Sequence, residues 1–375
     1  MMKILIVKLS SLGDVVHTLP ALASMRGGYP DAEIDWLVED ESKSILDANP
    51  LISHVVAIKK RGFRRAPATT QGIVRWIRAR RYDMVLDFQG LMKSGIWLAI
   101  SRSGRRIGFD RGRELSHLFL NEKLPPYNRD RHAVDRYLDL ARYAGGVGGA
   151  VKFPIFFTYR DQERVFKLLA DGGIGRSDGF VVVAPKARWE TKLWGAERFG
   201  QVASDIVEGR GMKVVVVGGP NDREYGEEIA SHVEGILNLA GMTTIKELAF
   251  LMKWSRLVIS VDSGPLHIAA AVGVPVIAIF GPTAPWRTGP YGENNLILTG
   301  GIECSPCFSR RCSKSTLECM AAVTVKRVME GVEALLKSGE ETNISSTSGE
   351  PVASPEALPE KSDCEEEPLG YNHRD

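Results

Sequence analysis

The sequence predicts an α/β protein of two doubly wound, Rossmann-like parallel-sheet domains in tandem, and three observations carry that expectation. Short β-branched runs alternate with amphipathic helical stretches, the alternation pauses once in mid-chain and restarts, and 375 residues exceed what one hydrophobic core organises.

In the first half, Lys3–Val7, Glu33–Val38, His54–Ile58 and Asp83–Asp87 read as strands, with helices near residues 16–27, 41–48 and 69–81 between them. The pattern stops around Gly145–Thr158. It resumes with strands at Gly179–Ala184, Lys213–Val217, Arg256–Ser260 and Pro275–Ile279, each separated by a helical segment, and ends in a helix at Thr324–Lys337. This divides the chain into a first domain at 1–155 and a second at 156–338. Residues 339–375 are rich in Ser, Glu and Pro, a composition that does not repay the entropy of ordering, and predict a disordered acidic tail.

The net charge of +2 conceals an asymmetry. The tail holds ten acids and two bases, leaving 46 bases against 36 acids in residues 1–338, a net of +10. A basic body suits an anionic partner, although the excess also reads as solvated surface. The apolar run at the N-terminus is too short for a signal peptide, and no run approaches a membrane-spanning length, so the expected location is cytoplasmic.

Ligands of two open α/β sheets bind beyond the C-terminal ends of the strands, so chemistry is sought in the loops there. After the first strand comes Leu9-Ser10-Ser11-Leu12-Gly13-Asp14, with one glycine and an acid where a dinucleotide fingerprint would stand; no phosphate loop of the G-x-x-x-x-G-K-[ST] type occurs either. Asp14 is a candidate general base and equally a helix N-cap. Asp87-Phe88-Gln89-Gly90, followed by Lys93, places polar groups suited to hydroxyl-rich ligands at a second strand end, or a plain turn. Lys59, Lys60, Arg61, Arg64 and Arg65, with Arg102, Arg105, Arg106, Arg129, Arg131 and Arg136, form a basic set for carboxylates or phosphates. No stacking aromatics or helix-turn-helix accompany them, so no nucleic-acid partner is expected.

In the second half Lys192 offers a cation for a diphosphate. Asp262-Ser263-Gly264-Pro265-Leu266-His267 joins a strand to a helix whose first N–H groups make an anion site, and Gly281-Pro282-Thr283 closes the next strand. Asp262 or Ser263 as caps and His267 as a core histidine are the plain alternatives. Cys304, Cys307, Cys312 and Cys319, at irregular gaps of two, four and six residues, are candidates for structural zinc or for free structural thiols; Cys364, in the tail, reads as a bystander.

Taken together, Lys8-Leu9-Ser10-Ser11-Leu12-Gly13-Asp14-Val15-Val16-His17-Thr18-Leu19-Pro20, Asp87–Gly90 and Val261–His267 resemble the ADP-heptose:lipopolysaccharide heptosyltransferases, glycosyltransferase family 9, over residues 1–337. The His17–Pro20 tail is most similar to the heptosyltransferase I branch. The resemblance implies a GT-B fold with acceptor domain first, and inverting, metal-independent transfer from the donor ADP-L-glycero-D-manno-heptose, with no cofactor required. It implies Asp14 and Lys192 as catalytic residues. Lys192, Asp262, Ser263, Gly264, His267, Gly281 and Thr283 would bind the nucleotide sugar, and Ser10, Ser11, Gly13, His17, Lys60, Arg61, Arg64, Gln89 and Lys93 the acceptor. The implied partner is Kdo-lipid A at the inner-membrane surface, with the enzyme peripheral to it. Lys186 and Arg188 depart from the family pattern, and Gly195 replaces an expected proline.

Overall fold

In a computed structural model, described for residues 1–60, 66–110, 114–125, 128 and 130–346, two six-stranded sheets lie within the unit Met1–Leu336. The first is built of β1 (Lys3–Val7), β2 (Glu33–Glu39), β3 (His54–Ile58), β4 (Met84–Asp87), β5 (Arg105–Phe109) and β6 (Glu122–Leu124), in the order β3-β2-β1-β4-β5-β6. The second is built of β7 (Phe180–Ala184), β8 (Lys213–Val216), β9 (Ile236–Asn238), β10 (Leu257–Val261), β11 (Val276–Phe280) and β12 (Asn295–Thr299), in the order β12-β11-β10-β7-β8-β9. All the pairings are parallel. Each sheet therefore reverses its strand order once, between β1 and β4 in the first and between β7 and β10 in the second. Crevices open at such switch points, and the loops bearing Asp14, Gln89, Lys192 and Asp262 follow these four strands.

The central strands are apolar without alternation because helices cover both faces. Ile4–Val7, Val181–Val183 and Val276–Phe280 are fully buried. Inside the first sheet, buried Asp35 on β2 accepts from Arg80 Nε (3.1 Å) and Tyr82 OH (2.7 Å), while its other oxygen meets His54 Nδ1 at 2.9 Å. The mid-chain pause ends where expected. Thr158 caps the helix Tyr159–Asp171 through a reciprocal pair with Asp161.

Several boundaries differ from expectation. The first helix begins at Leu12, because Ser11 caps it. Residues 41–48 form only a 3₁₀ turn, Asp40–Ile45, since the polar stretch has little to bury. Strands β5, β6, β9 and β12 were not expected. The final helix runs Val325–Ser346, past the Lys337 end expected, and the rest of the tail, with Cys364, lies outside the described residues.

Candidate active site

The helix Leu12–Gly28 carries Asp14 in its first turn, as partner of the N-cap rather than as the cap itself. Asp14 Oδ2 accepts from Ser11 N (3.1 Å) and Ser11 Oγ (2.9 Å). Its other oxygen faces Lys8 Nζ at 3.7 Å and accepts from Tyr137 OH at 3.3 Å. Burial works to raise this carboxyl, but the Lys8 ammonium and the Ser11 bonds outweigh it and hold the group below the usual carboxylate range. The side chain is 39% exposed, so an ionised carboxylate is presented to a ligand. Lys8 opens the motif quoted from the sequence but was given no role there, and Tyr137 went unnoticed: a lysine following a strand and a tyrosine 129 residues away share no local signal.

The loop after β4 supports the loop after β1. Asp87 is buried and spends Oδ1 on the N–H groups of Gln89 (2.9 Å) and Gly90 (3.0 Å), and Oδ2 on Ser94 Oγ (3.0 Å). Burial raises the Asp87 carboxyl despite these bonds. Gln89 Oε1 accepts from both Leu9 N (3.0 Å) and Ser10 N (2.9 Å), so its carbonyl holds the Asp14 loop. Lys93 Nζ reaches Ser10 Oγ and Glu39 Oε1, both at 2.7 Å.

Across the crevice, the 3₁₀ turn Glu190–Lys192 after β7 aims Lys192 Nζ at Asp262 Oδ2, 2.6 Å away, with the Trp189 ring 4.7 Å from the ammonium. Thr283 Oγ1 donates to the same oxygen at 2.6 Å, and His267 Nε2 lies 3.8 Å from the other. Lys192 is thus paired and oriented, not a lone cation. Ser263 caps the helix Gly264–Val272 in extended conformation, with Pro265 in the first turn. Gly195 has φ of +109°, open to glycine and closed to proline, which accounts for that departure from the family pattern.

The two halves meet on two glycines. A Cβ on Gly13 would lie 2.2 Å from His267 Cδ2, and one on Gly264 would lie 3.0 Å from Leu12 Cδ2. Behind them His17, buried, packs edge-on against His267 (centroids 4.4 Å) and His132 (5.2 Å). His132 accepts from Val134 N and donates through Nε2 to Gly289 O at 3.0 Å, and Tyr291 OH donates to Asp135 Oδ1 at 2.8 Å. Burial lowers His17 well below the ordinary histidine value and brings His267 down to about 4, so both rings are neutral.

The basic set is not one surface. Arg105 forms a bidentate pair with Glu122 (both bonds 2.8 Å), Arg106 donates to the carbonyls of Ser103 and Phe119, and Arg131 pairs with Asp139. Lys59 and Lys60 are exposed, Lys60 Nζ standing 3.5 Å from Glu41. Arg61, Arg64, Arg65 and Arg129 lie outside the described residues. Cys304, Cys307, Cys312 and Cys319 are unbonded thiols lining one cavity of about 60 Å³. Among the described residues no three His, Cys, Asp or Glu side chains are gathered to hold a metal ion. The cavity backs the loops after β7 and β11: Ser305 Oγ donates to Gly281 O, and Thr191 Oγ1 to Ser309 O.

Two Rossmann-like domains facing across a crevice, a carboxylate on one side and a lysine beside a helix N-terminus on the other, define a glycosyltransferase of the GT-B type. The family model for glycosyltransferase family 9 (heptosyltransferase) matches residues 72–318. Lipopolysaccharide heptosyltransferase 1 of Pseudomonas aeruginosa is 30% identical over 90% of this chain and 99% of its own. That of Escherichia coli K12 is 29% identical over 79% and 93%. Among solved structures, a family 9 glycosyl transferase from Veillonella parvula superposes with TM-score 0.81 at 23% identity, covering 90% of this chain and 98% of that one. Escherichia coli heptosyltransferase WaaC with ADP gives 0.73 at 25%, covering 89% and 100%. The chain belongs to glycosyltransferase family 9, the heptosyltransferases. Among the described residues no helix is long and apolar enough to cross a membrane.

Proposed function

We propose that this enzyme moves L-glycero-D-manno-heptose from ADP-heptose to the Kdo region of the lipopolysaccharide inner core, as heptosyltransferase I does. The supporting observation is the Gly13–His267 contact, which sets Asp14 and the Lys192–Asp262 pair on opposite walls of one crevice. On this reading residues 1–155 hold the acceptor and residues 156–338 the nucleotide sugar, with Kdo-lipid A presented at the cytoplasmic face of the inner membrane. Lys59 and Lys60, both exposed, would meet its acidic groups.

Asp14 takes the proton of the acceptor hydroxyl as its oxygen attacks the anomeric carbon from the face opposite the leaving group. The bond from that carbon to the β-phosphate oxygen breaks, its electron pair leaves with ADP, and the configuration inverts. A positioned base is worth about 10² to 10⁴ in rate. Lys192, held by Asp262, and the N–H groups at Gly264–His267 offset the charge developing on ADP. The helix terminus supplies at most about 2 kcal/mol of this, so the ammonium matters beside it.

The test is ADP release by purified protein given ADP-heptose and Kdo₂-lipid A, without added metal and with EDTA. Release that needs both substrates and survives chelation is expected. No release, or release by Asp14→Ala at the parent rate, refutes the reading of the reaction or of the base respectively.

A further inference from the structure

Lys8 is 2% exposed, a buried lysine directly after a central strand. It cannot touch a substrate, and a buried ammonium persists only where hydrogen bonds and opposite charge compensate its lost hydration. Its Nζ donates to Phe88 O (2.9 Å) and Tyr137 OH (2.7 Å) and sits 4.6 Å from the Tyr137 ring centroid. Its own carbonyl accepts from the Trp36 indole at 3.2 Å, which ties the strand end down. The Tyr137 hydroxyl, having accepted from Lys8, has one proton left to give, and Asp14 Oδ1 is 3.3 Å away. A directed chain therefore runs from ammonium to phenol to carboxylate, with a direct Lys8–Asp14 approach of 3.7 Å beside it. Ser11 fixes the other carboxylate oxygen through two bonds.

We propose that Lys8 and Tyr137 are positioning residues for the reaction: from beneath the crevice floor they hold Asp14 charged and set the plane of its carboxylate toward the acceptor hydroxyl. This rests on Asp14 being the base. Burial is the largest influence on the Asp14 carboxyl and acts to raise it. The Lys8 ammonium is the largest influence opposing it, so its removal moves the carboxyl up. The carboxylate then loses its charge partner, and the Tyr137 phenol on Oδ1 loses the ammonium that orients it, so the cost falls on the chemical step, not on binding.

The experiment compares parent, Lys8→Met, Lys8→Arg, Tyr137→Phe and Asp14→Asn by pH–rate profiles with ADP-heptose and Kdo₂-lipid A, alongside ¹³C NMR titration of the labelled aspartate carboxyls. Lys8→Met is expected to move the Asp14 titration and the acid limb up by about one pH unit or more, since an opposite charge this close is worth about 1 to 3 units. Its kcat should fall about tenfold or more while both KM values stay within about threefold. Lys8→Arg should recover part of the loss, and Tyr137→Phe should shift both readouts the same way by less. Should Lys8→Met fail to fold, Tyr137→Phe and Lys8→Arg still carry the comparison. An Asp14 titration and acid limb unmoved in every foldable variant overturn the proposal. Asp14→Asn transferring at the parent rate overturns the base and its positioning pair together, whereas an inactive Asp14→Asn beside unmoved Lys8 and Tyr137 variants overturns the pair alone.

Discussion

Replacing Gly13 by alanine isolates the seam between the two halves of the active site. The added methyl would stand 2.2 Å from His267 Cδ2, 3.0 Å from Nε2 and 3.2 Å from Cγ. Ordinary contact begins at 3.4 Å, so the walls must part by about 1.2 Å. His267 has little freedom to yield, since it is 8% exposed and wedged between His17 and Asp262. Asp14 is the next residue, so a retreat of this size carries the proposed base away from the His267 wall. A misplacement of about 1 Å is worth about a hundredfold in rate, or about 2.7 kcal/mol of barrier. Global stability should change far less, because the clash lies at a seam that can open, and alanine is about 1 kcal/mol better than glycine within a helix. The assay is kcat from ADP release at saturating substrates, beside thermal unfolding, for Gly13→Ala in parent and His267→Ala backgrounds. The expected result is a kcat loss near a hundredfold in the parent, a Tm within a few degrees, and a much smaller effect once His267 is gone. Retention of kcat within twofold, or an equal loss in both backgrounds, refutes this account of the seam.

Acid should weaken the fold through the same histidines. His267 titrates at about 4 when folded against 6.5 in its ordinary state, so the unfolded chain binds the extra proton between those values. Stability is then fully present above pH 6.5 and falls through the window down to about 4, by up to about 3 kcal/mol for this ring, and urea titrations of His267→Gln should show a shallower decline. Lys192→Met should raise the donor KM and lower kcat by about 10² to 10³ without moving the acceptor KM, measured by initial rates against each substrate. Gln89→Ala leaves Leu9 N and Ser10 N without their side-chain acceptor, and kcat should fall about tenfold at near-parent Tm. Asp35→Ala strips Arg80, Tyr82 and His54 of a shared buried partner and should cost about 3 to 5 kcal/mol in urea unfolding.

The architecture was legible because central parallel strands announce themselves as apolar runs, and β1, β7 and β11 are of that kind. The missed strands are short or partly exposed: β6 is Glu-Lys-Leu, and β5 opens on Arg105-Arg106, whose charges are consumed by Glu122 and by backbone carbonyls. Asp14, Gln89, Lys192 and Asp262 could be singled out because each sits in the loop after a strand at a switch point. The pairings were not legible, because they join residues far apart along the chain: Lys192 meets Asp262 over 70 residues, and Lys8 meets Tyr137 over 129. The arginines were read together from proximity in sequence, whereas folding gave several of them separate structural tasks.

The Gln89 carboxamide has a further consequence for anyone wishing to transplant this catalytic loop into another scaffold. Its one oxygen grips two successive amides of the Asp14 loop, and Asp87 in turn grips the backbone of Gln89. The portable unit is therefore not the seven residues Lys8–Asp14 but a three-part cassette, completed by Asp87–Ser94 and the helix bearing Tyr137. A graft that carries the first part alone would reproduce the motif and lose the mould that shapes it.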